Sequence, residues 1–248
     1  MDDFDASDVD TVLKPPRSPW DGFPDVLIHA GESAVKQHSA YRAAKSGDDL
    51  AARELVRETI SSDKVQALAK MLTGRTPVLV SAHAFEQEGV NAIPEALADE
   101  LGRRLGWAVD PHVVQSNIVA HTGADGFSRL ARQARFDGPV LPGVEYVLVD
   151  DFVGMGGTLA NLRGYLLARD GKVLAAVALT GKPYSARLTL TEGTLNQLRK
   201  THGADLERWW KARFAHAFDA LTESEARYLA RTPDADTLRD RIIAAEQA

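Results

Sequence analysis

The stretch Tyr146–Leu162, YVLVDDFVGMGGTLANL, restricts the folds open to this chain more than any other. It opens on four apolar residues with no polar break, which fits a strand buried on both faces, as in a parallel sheet. The run ends on two adjacent aspartates, Asp150 and Asp151. Phe152 and Val153 follow, then Gly154, Met155, Gly156, Gly157 and Thr158, where a helical pattern begins. In open parallel sheets, ligands bind beyond the carboxyl ends of the strands. Glycines there allow a tight turn whose backbone N–H groups converge on an anion, and the following helix adds its positive end. One end of the segment therefore suits a phosphate. The carboxylate pair suits hydroxyl donors or a divalent metal, so a sugar phosphate satisfies both. On this reading a β-branched residue in place of Gly156 would fill the anion cradle.

The rest of the chain supports an α/β class with helical additions. Residues 1–24 combine aspartates with the cluster Lys14-Pro-Pro-Arg-Ser-Pro19 and read as an extended or disordered tail, which Trp20 and Phe23 could pin to the body. Residues 25–75 read as a helical N-terminal section: Leu50, Leu55, Val56 and Ile60, then Val65, Leu68 and Leu72, repeat near helical spacing. His29 and His38 lie there and read as structural. Residues 76–188 alternate strand and helix and should form a mostly parallel central sheet. Its strands are expected after Pro77, over Trp107–Gln115, over Val144–Val149 and over Val173–Leu179. Helices are expected from an Asn91 N-cap and over Thr158–Arg169. Residues 189–248 read as helical again, with a capping box at Thr222–Glu225.

Bulk composition removes several function classes. The 248 residues are 44% hydrophobic, enough for a real core in one α/β domain with additions or in two small domains. A net charge of −6 argues against general binding to a nucleic-acid backbone, though a local basic groove stays open. With no cysteine, disulfides, thiolate zinc sites and cysteine nucleophiles are excluded, which fits a reducing compartment. The acidic start MDDFDASDVD is unlike a signal peptide, and no apolar run is long enough to span a membrane. A cytoplasmic location is the expectation.

The segment Tyr146–Thr158 resembles the 5-phosphoribosyl-1-pyrophosphate (PRPP) motif of type I phosphoribosyltransferases. The resemblance extends over about Pro77 to Tyr184. It implies that Asp150 and Asp151 hold the ribose 2- and 3-hydroxyls, and that Gly154, Met155, Gly156, Gly157 and Thr158 hold the 5-phosphate. It also implies a pyrophosphate-binding loop after an earlier strand, at Ala82 and His83 within Ser81–Ala84. A covering loop before the motif strand would fall on Thr122–Gly138. There Arg129, Arg132 and Arg135, spaced by three, would share a helical face and offer pyrophosphate contacts. This run looks like the competence-associated branch of the family. Lys182 and Tyr184, after the next strand, would read the acceptor, with a plain surface loop as the alternative. Trp209 and Trp210 belong either to a hood over the acceptor or to a core.

The implied activity is transfer of phosphoribosyl from PRPP to a nucleobase or related acceptor, with pyrophosphate released and Mg²⁺ carried by the substrate and in reach of Asp150 and Asp151. Expected partners are PRPP, an acceptor and a second copy of the chain in a homodimer. The rival reading is a non-catalytic module that binds PRPP or a nucleotide and regulates. A methyltransferase or nicotinamide-dinucleotide site fits less well, because the next strand ends in Thr180-Gly181 with no acid.

Overall fold

The computed structural model describes residues 14–82, 85–86, 89–117 and 125–247. In chain order the strands are β1 (Leu27–Ala30), β2 (Val78–Ser81), β3 (Phe85–Glu86), β4 (Gly89–Val90), β5 (Val109–Asp110), β6 (Val114–Gln115), β7 (Phe136–Asp137), β8 (Glu145–Val153) and β9 (Lys172–Gly181). The helices are α1 (Glu32–Lys36), α2 (Tyr41–Lys45), α3 (Asp49–Thr59), α4 (Ser62–Met71), α5 (Ile93–Leu105), α6 (Gly126–Ala131), α7 (Gly157–Leu167), α8 (Glu192–Phe214), α9 (Glu223–Leu229) and α10 (Ala235–Gln247).

Five strands form one sheet in the order β1-β9-β8-β2-β5, and every pairing in it is parallel. The fold is α/β with a parallel central sheet, as the apolar strands require. Alternation along β8 divides its side chains between two cores. Val147 and Val149 join a cluster with α3, α4 and α5, while Tyr146 and Leu148 join a second cluster with α7. Helix α5 carries the chain from β2 outward to β5 over the first face; α7 carries it from β8 to β9 over the other. The chain thus leaves β2 and β8 in opposite directions. That divergence opens a crevice at their carboxyl ends, where ligands bind in sheets of this kind.

A third cluster lies beside the sheet. Leu206, Trp210, Phe214 and Phe218 from the C-terminal section pack with Leu229, Leu238 and Ile242, and Phe127 and Leu130 of α6 join them. Helix α8 is kinked at Gly203, where φ is 73°. The capping box at Thr222 and Glu225 forms as its sequence implies.

Four sequence expectations need correction. The section 25–75 is not wholly helical: Leu27–Ala30 pairs in parallel with Val177–Thr180 at the sheet edge. Four residues are too few to show a period, and the neighbouring strand decides. The segment before residue 25 is no loose tail over its described part, because Arg17 is 9% exposed and Phe23 is in the core. Trp20 does pin it, donating its indole N–H to the Leu221 carbonyl at 2.8 Å. Trp107–Gln115 is two short strands in different sheets, β5 and β6, separated by Pro111, which has no N–H to give a ladder. The N-cap of α5 is Ala92; the Asn91 side chain instead accepts from the Ile93 N–H at 3.2 Å.

Candidate functional site

A cleft of about 290 Å³ opens at the divergence of β2 and β8. Ala82, Asp150 and Asp151 stand on its floor, and the turn Gly154–Thr158 forms one wall. Residues from α2, α6 and the N-terminal segment complete the rim.

The two aspartates differ. They are consecutive on β8, so their side chains leave opposite faces of the strand. Asp150 is 6% exposed and its carboxylate accepts from the Asp151 N–H at 2.8 Å. Burial, then the neighbouring Asp151 charge, push the Asp150 carboxyl well above the usual carboxylate range. Asp151 is partly buried, which by itself raises its pKa. The Lys45 ammonium, 3.0 Å away, and side-chain hydrogen bonds involving Lys45, Asp150 and Asn91 outweigh that effect and hold it below the usual value. The pair therefore offers one carboxyl that favours its proton and one that favours its charge.

The glycine turn is shaped from behind. Ser185 Oγ donates to the Gly154 carbonyl, and Thr222 Oγ1 donates to the Met155 carbonyl at 2.6 Å. In a trans peptide the C=O and the next N–H point in opposite directions. Pulling these two carbonyls back therefore aims the Met155 and Gly156 N–H groups the other way. Helix α7 begins immediately after, with Gly156 as its N-cap at φ 83°, a left-handed conformation that suits glycine. This assembly of backbone donors and a helix start can hold an anion.

The expectation that a side chain at Gly156 fills the cradle is overturned. A Cβ there would lie 2.4 Å from Leu188 Cδ2 and 3.3 Å from Thr222 Cγ2, on the packed side of the turn. Gly157 is similarly backed, by Glu225 Oε1 at 2.7 Å from its would-be Cβ.

Glu225 itself is held by Arg17. Two guanidinium nitrogens reach its two carboxylate oxygens at 2.6 and 3.0 Å, and Arg17 Nε donates to Asn161 Oδ1 at 2.5 Å. The N-terminal segment that carries Arg17 lies directly on α7, because Gly164 leaves room: a Cβ there would sit 1.9 Å from the Pro16 carbonyl oxygen. Arg163 adds bonds to the Ser18 and Pro19 carbonyls at 3.0 and 3.2 Å.

The other sequence candidates separate. Ala82 lines the cleft, and His83 lies outside the described residues. Of the three spaced arginines only Arg129 lines the cleft. Helix α6 ends at Ala131, and Arg132 leaves it with ψ 88°. The common face that a spacing of three requires is lost there. The Arg132 side chain turns to the Ala245 carbonyl instead, at 3.3 Å. Lys182 is ion-paired with Glu32 and lines no part of the cleft. Tyr184 is exposed and borders a second cavity on the far side of Gly154 and Met155. Trp210 is fully buried in the C-terminal core; Trp209 lies under the guanidinium groups of Arg213 and Arg239. Neither indole lines the cleft.

Sequence reasoning missed Lys45, Asn91, Arg17 and Glu225. Lys45 has no local motif to mark it, and Asn91 reads only as a helix cap, with nothing to tie it to Asp151. Glu225 carried a signal, the capping box, but nothing in it pointed to the glycine turn.

No family model matches the chain. It is 39% identical over 229 residues to the protein TraN of Escherichia coli, a match that covers 92% of this chain and 51% of that one. It is 37% identical over 153 residues to an uncharacterized protein of Haemophilus influenzae, covering 61% of this chain and 34% of that one. The chain thus spans about half of the first relative's length and a third of the second's. Among solved structures, it is similar to an adenine phosphoribosyltransferase from Leishmania tarentolae, with TM-score 0.36 and 16% identity over 84% of this chain and 98% of that one. It is also similar to one from Thermoanaerobacter pseudethanolicus, with TM-score 0.34 and 22% identity over 49% and 67%.

Proposed function

We propose that the cleft binds PRPP and that the chain transfers its phosphoribosyl group to an acceptor with release of pyrophosphate. The observation that carries this reading is the carboxylate pair beside a glycine turn whose carbonyls are tied back, both at the crevice of a parallel sheet. Asp150 and Asp151 take the ribose hydroxyls, and the turn with Thr158 takes the 5-phosphate.

In such a transfer the bond from ribose C1 to the pyrophosphate oxygen breaks, its electron pair leaving with pyrophosphate. An acceptor lone pair forms the new bond, and the acceptor's proton passes to a base. The transition state is oxocarbenium-like, so the protein's work is to orient the ribose and to stabilise charge. Asp151, held ionised by Lys45, can face the developing positive charge. Asp150, with its raised pKa, can both donate a hydrogen bond to and accept one from the ribose hydroxyls, which keep their protons.

Among the described residues no cluster of three or more acidic or histidine side chains could hold a metal alone. A pair of carboxylates suits Mg²⁺ when the substrate brings further oxygens. Asp150 and Asp151 would then hold it, and it would supply charge neutralisation for the departing pyrophosphate.

Calorimetric titration of Asp150→Asn and Asp151→Asn tests the binding half. Hydrogen bonds contribute roughly 1.5–3 kcal/mol to a charged group and about 0.5–1.5 kcal/mol to a neutral one, so PRPP affinity should fall about ten- to a hundredfold in Asp151→Asn and severalfold in Asp150→Asn while inorganic phosphate affinity holds. Equal losses for both ligands would sink the assignment of the carboxylates.

A second reading, a PRPP- or nucleotide-binding module without turnover, is favoured by one observation: Arg132, expected to meet pyrophosphate, faces α10 instead. A pyrophosphate-release screen over purine and pyrimidine bases, with PRPP and Mg²⁺, separates the two. Binding without release for every base would leave only the module.

A further inference from the structure

The cavity bordered by Tyr184 lies outside the proposed PRPP cleft and has about 430 Å³ of space. The two share only Gly154 and Met155 in their walls, so the turn is a partition between them. Two arginines, Arg227 and Arg231, line the cavity from the end of α9. Arg227 stands in the last turn of α9 and Arg231 just beyond its C-cap, Ala230, so it is the shared cavity wall, not a helix face, that brings them together. Cations at a helix C-terminus also suit the helix dipole, so their presence alone decides nothing. Their partners decide more. Arg227 has only a long ion pair, 4.0 Å to Glu223, and Arg231 has no ion-pair partner among the described residues.

Aromatic rings complete the walls. Tyr228 is fixed: its ring lies where a side chain at Gly126 would be, with Cζ 2.3 Å from the would-be Cβ, and it packs edge-on against Phe127 at 5.0 Å. Glycine at 126 is what lets the ring lie against the start of α6. Tyr184 stands on the short turn Pro183–Ser185 with 64% of its surface exposed, leaving its ring open toward the cavity. Guanidinium forks match phosphate and carboxylate geometry, and an open tyrosine ring stacks on a planar ligand.

From this we infer a second binding site, for a planar aromatic molecule that carries one phosphate or carboxylate, with Arg227 and Arg231 on the anion and Tyr184 on the ring. The inference does not rest on the PRPP reading. It has a structural link to that cleft: Ser224 Oγ, on the cavity wall, donates to Ser185 Oγ at 3.1 Å, and Ser185 holds the Gly154 carbonyl.

Calorimetric titration of the full chain with adenosine 5′-monophosphate and with orotate tests the site. At least one should bind with Kd below about 1 mM. Its affinity should fall about ten- to a hundredfold in Arg227→Ala/Arg231→Ala and severalfold in Tyr184→Ala, and by clearly less in Asp150→Asn, which touches only the share of a ribose-bearing probe held in the PRPP cleft. These side chains are exposed, so the variants should fold, which circular dichroism checks. Preference for the monophosphate assigns a phosphate-bearing ligand, and preference for orotate a carboxylate. Failure of both probes to bind, or affinity unmoved by the arginine changes, overturns the site. A loss in Asp150→Asn equal to that in the arginine variant would place the probe in the PRPP cleft and also overturns it. The PRPP reading stands or falls separately, on PRPP titration.

Discussion

The two walls of the cleft are built on opposite principles. The carboxylate wall stores electrostatic cost: two acids side by side, one with its pKa raised by burial and one held charged by a single lysine. The glycine wall stores packing: Leu188 and Thr222 fill the space behind Gly156, and the Glu225–Arg17 pair, which also borders the cleft, closes on Gly157. Chemistry needs groups whose charge can respond, so the first wall gives up stability. An anion cradle needs fixed donors, so the second wall is over-determined by contacts from three distant segments. Substitutions should therefore damage the second wall through folding and the first through ligand binding.

The largest effect should come from Arg17→Met. It leaves Glu225 buried and uncompensated at the glycine wall, and breaking one side of a buried pair costs about 3–5 kcal/mol. For a chain of this size that lowers Tm by roughly 6–20 °C in a thermal melt. Asp151→Asn, which breaks the more exposed pair with Lys45, should cost on the order of 1 kcal/mol. Comparable melting temperatures for the two variants would break the contrast.

Next comes Gly156→Val. It combines a left-handed backbone with a Cβ 2.4 Å from Leu188, so strain and overpacking together should cost about 2–5 kcal/mol. Phosphate affinity should fall with stability, because the turn is displaced rather than filled. Gly193→Val is the control: nothing lies within 4 Å of its Cβ position. A fully stable Gly156→Val with lost phosphate binding would restore the filled-cradle explanation.

Acid should destabilise the fold through two buried histidines, His29 beside the Ser61 N–H and His216 beside Trp210 and Phe214. Burial drives the His29 pKa down to about 4, and burial with the nearby Arg17 charge drives His216 down to about 3. A depressed histidine pKa means the unfolded chain takes up the proton first. Each residue's contribution is intact above its ordinary value near 6.5 and is lost as pH falls toward the folded value. By pH 4 the loss reaches up to about 3 kcal/mol each. His216→Phe, in the C-terminal core beside Trp210 and Phe214, should flatten the decline between pH 6.5 and 4 in urea melts; an unchanged slope would remove His216 from the account.

How much of this was legible in the sequence depends on range. The motif strand, the turn and α7 are written in contiguous residues, so periodicity and glycine spacing revealed them. The parallel sheet followed from unbroken apolar runs. What stayed hidden is what the fold brings from afar. Lys45 lies 106 positions before Asp151 and Arg17 lies 208 before Glu225, with nothing local to mark either. The arginine series failed differently. A spacing of three implies a face only while the helix lasts, and α6 ends before Arg132. Gly156 was read correctly as required and wrongly as to why, since sequence shows that a Cβ is unwelcome but not which side it would strike.

The smallest effect sharpens the comparison most, because it has a sign. Asp150 and Asp151 are neighbours on one strand, yet their pKa values move in opposite directions. A raised carboxyl pKa means the folded chain holds its proton more tightly than the unfolded one. Asp150 therefore contributes stability that is fully present below the ordinary pKa of 3.8 and is lost as pH rises through the folded value. Asp151 contributes stability that is present above 3.8 and lost as pH falls. Near pH 7, Asp150→Asn should raise Tm by a few degrees, on the order of 1 kcal/mol, since a neutral amide relieves the repulsion and needs no proton. Asp151→Asn should lower Tm by a similar amount, because Lys45 loses its partner. Both should weaken PRPP binding. Differential scanning calorimetry of the two variants at pH 7 reads the signs directly. If both lowered Tm equally, Asp150 would be a structural acceptor for its neighbour's N–H, and the carboxylate wall would be held together as the glycine wall is, by packing and hydrogen bonds.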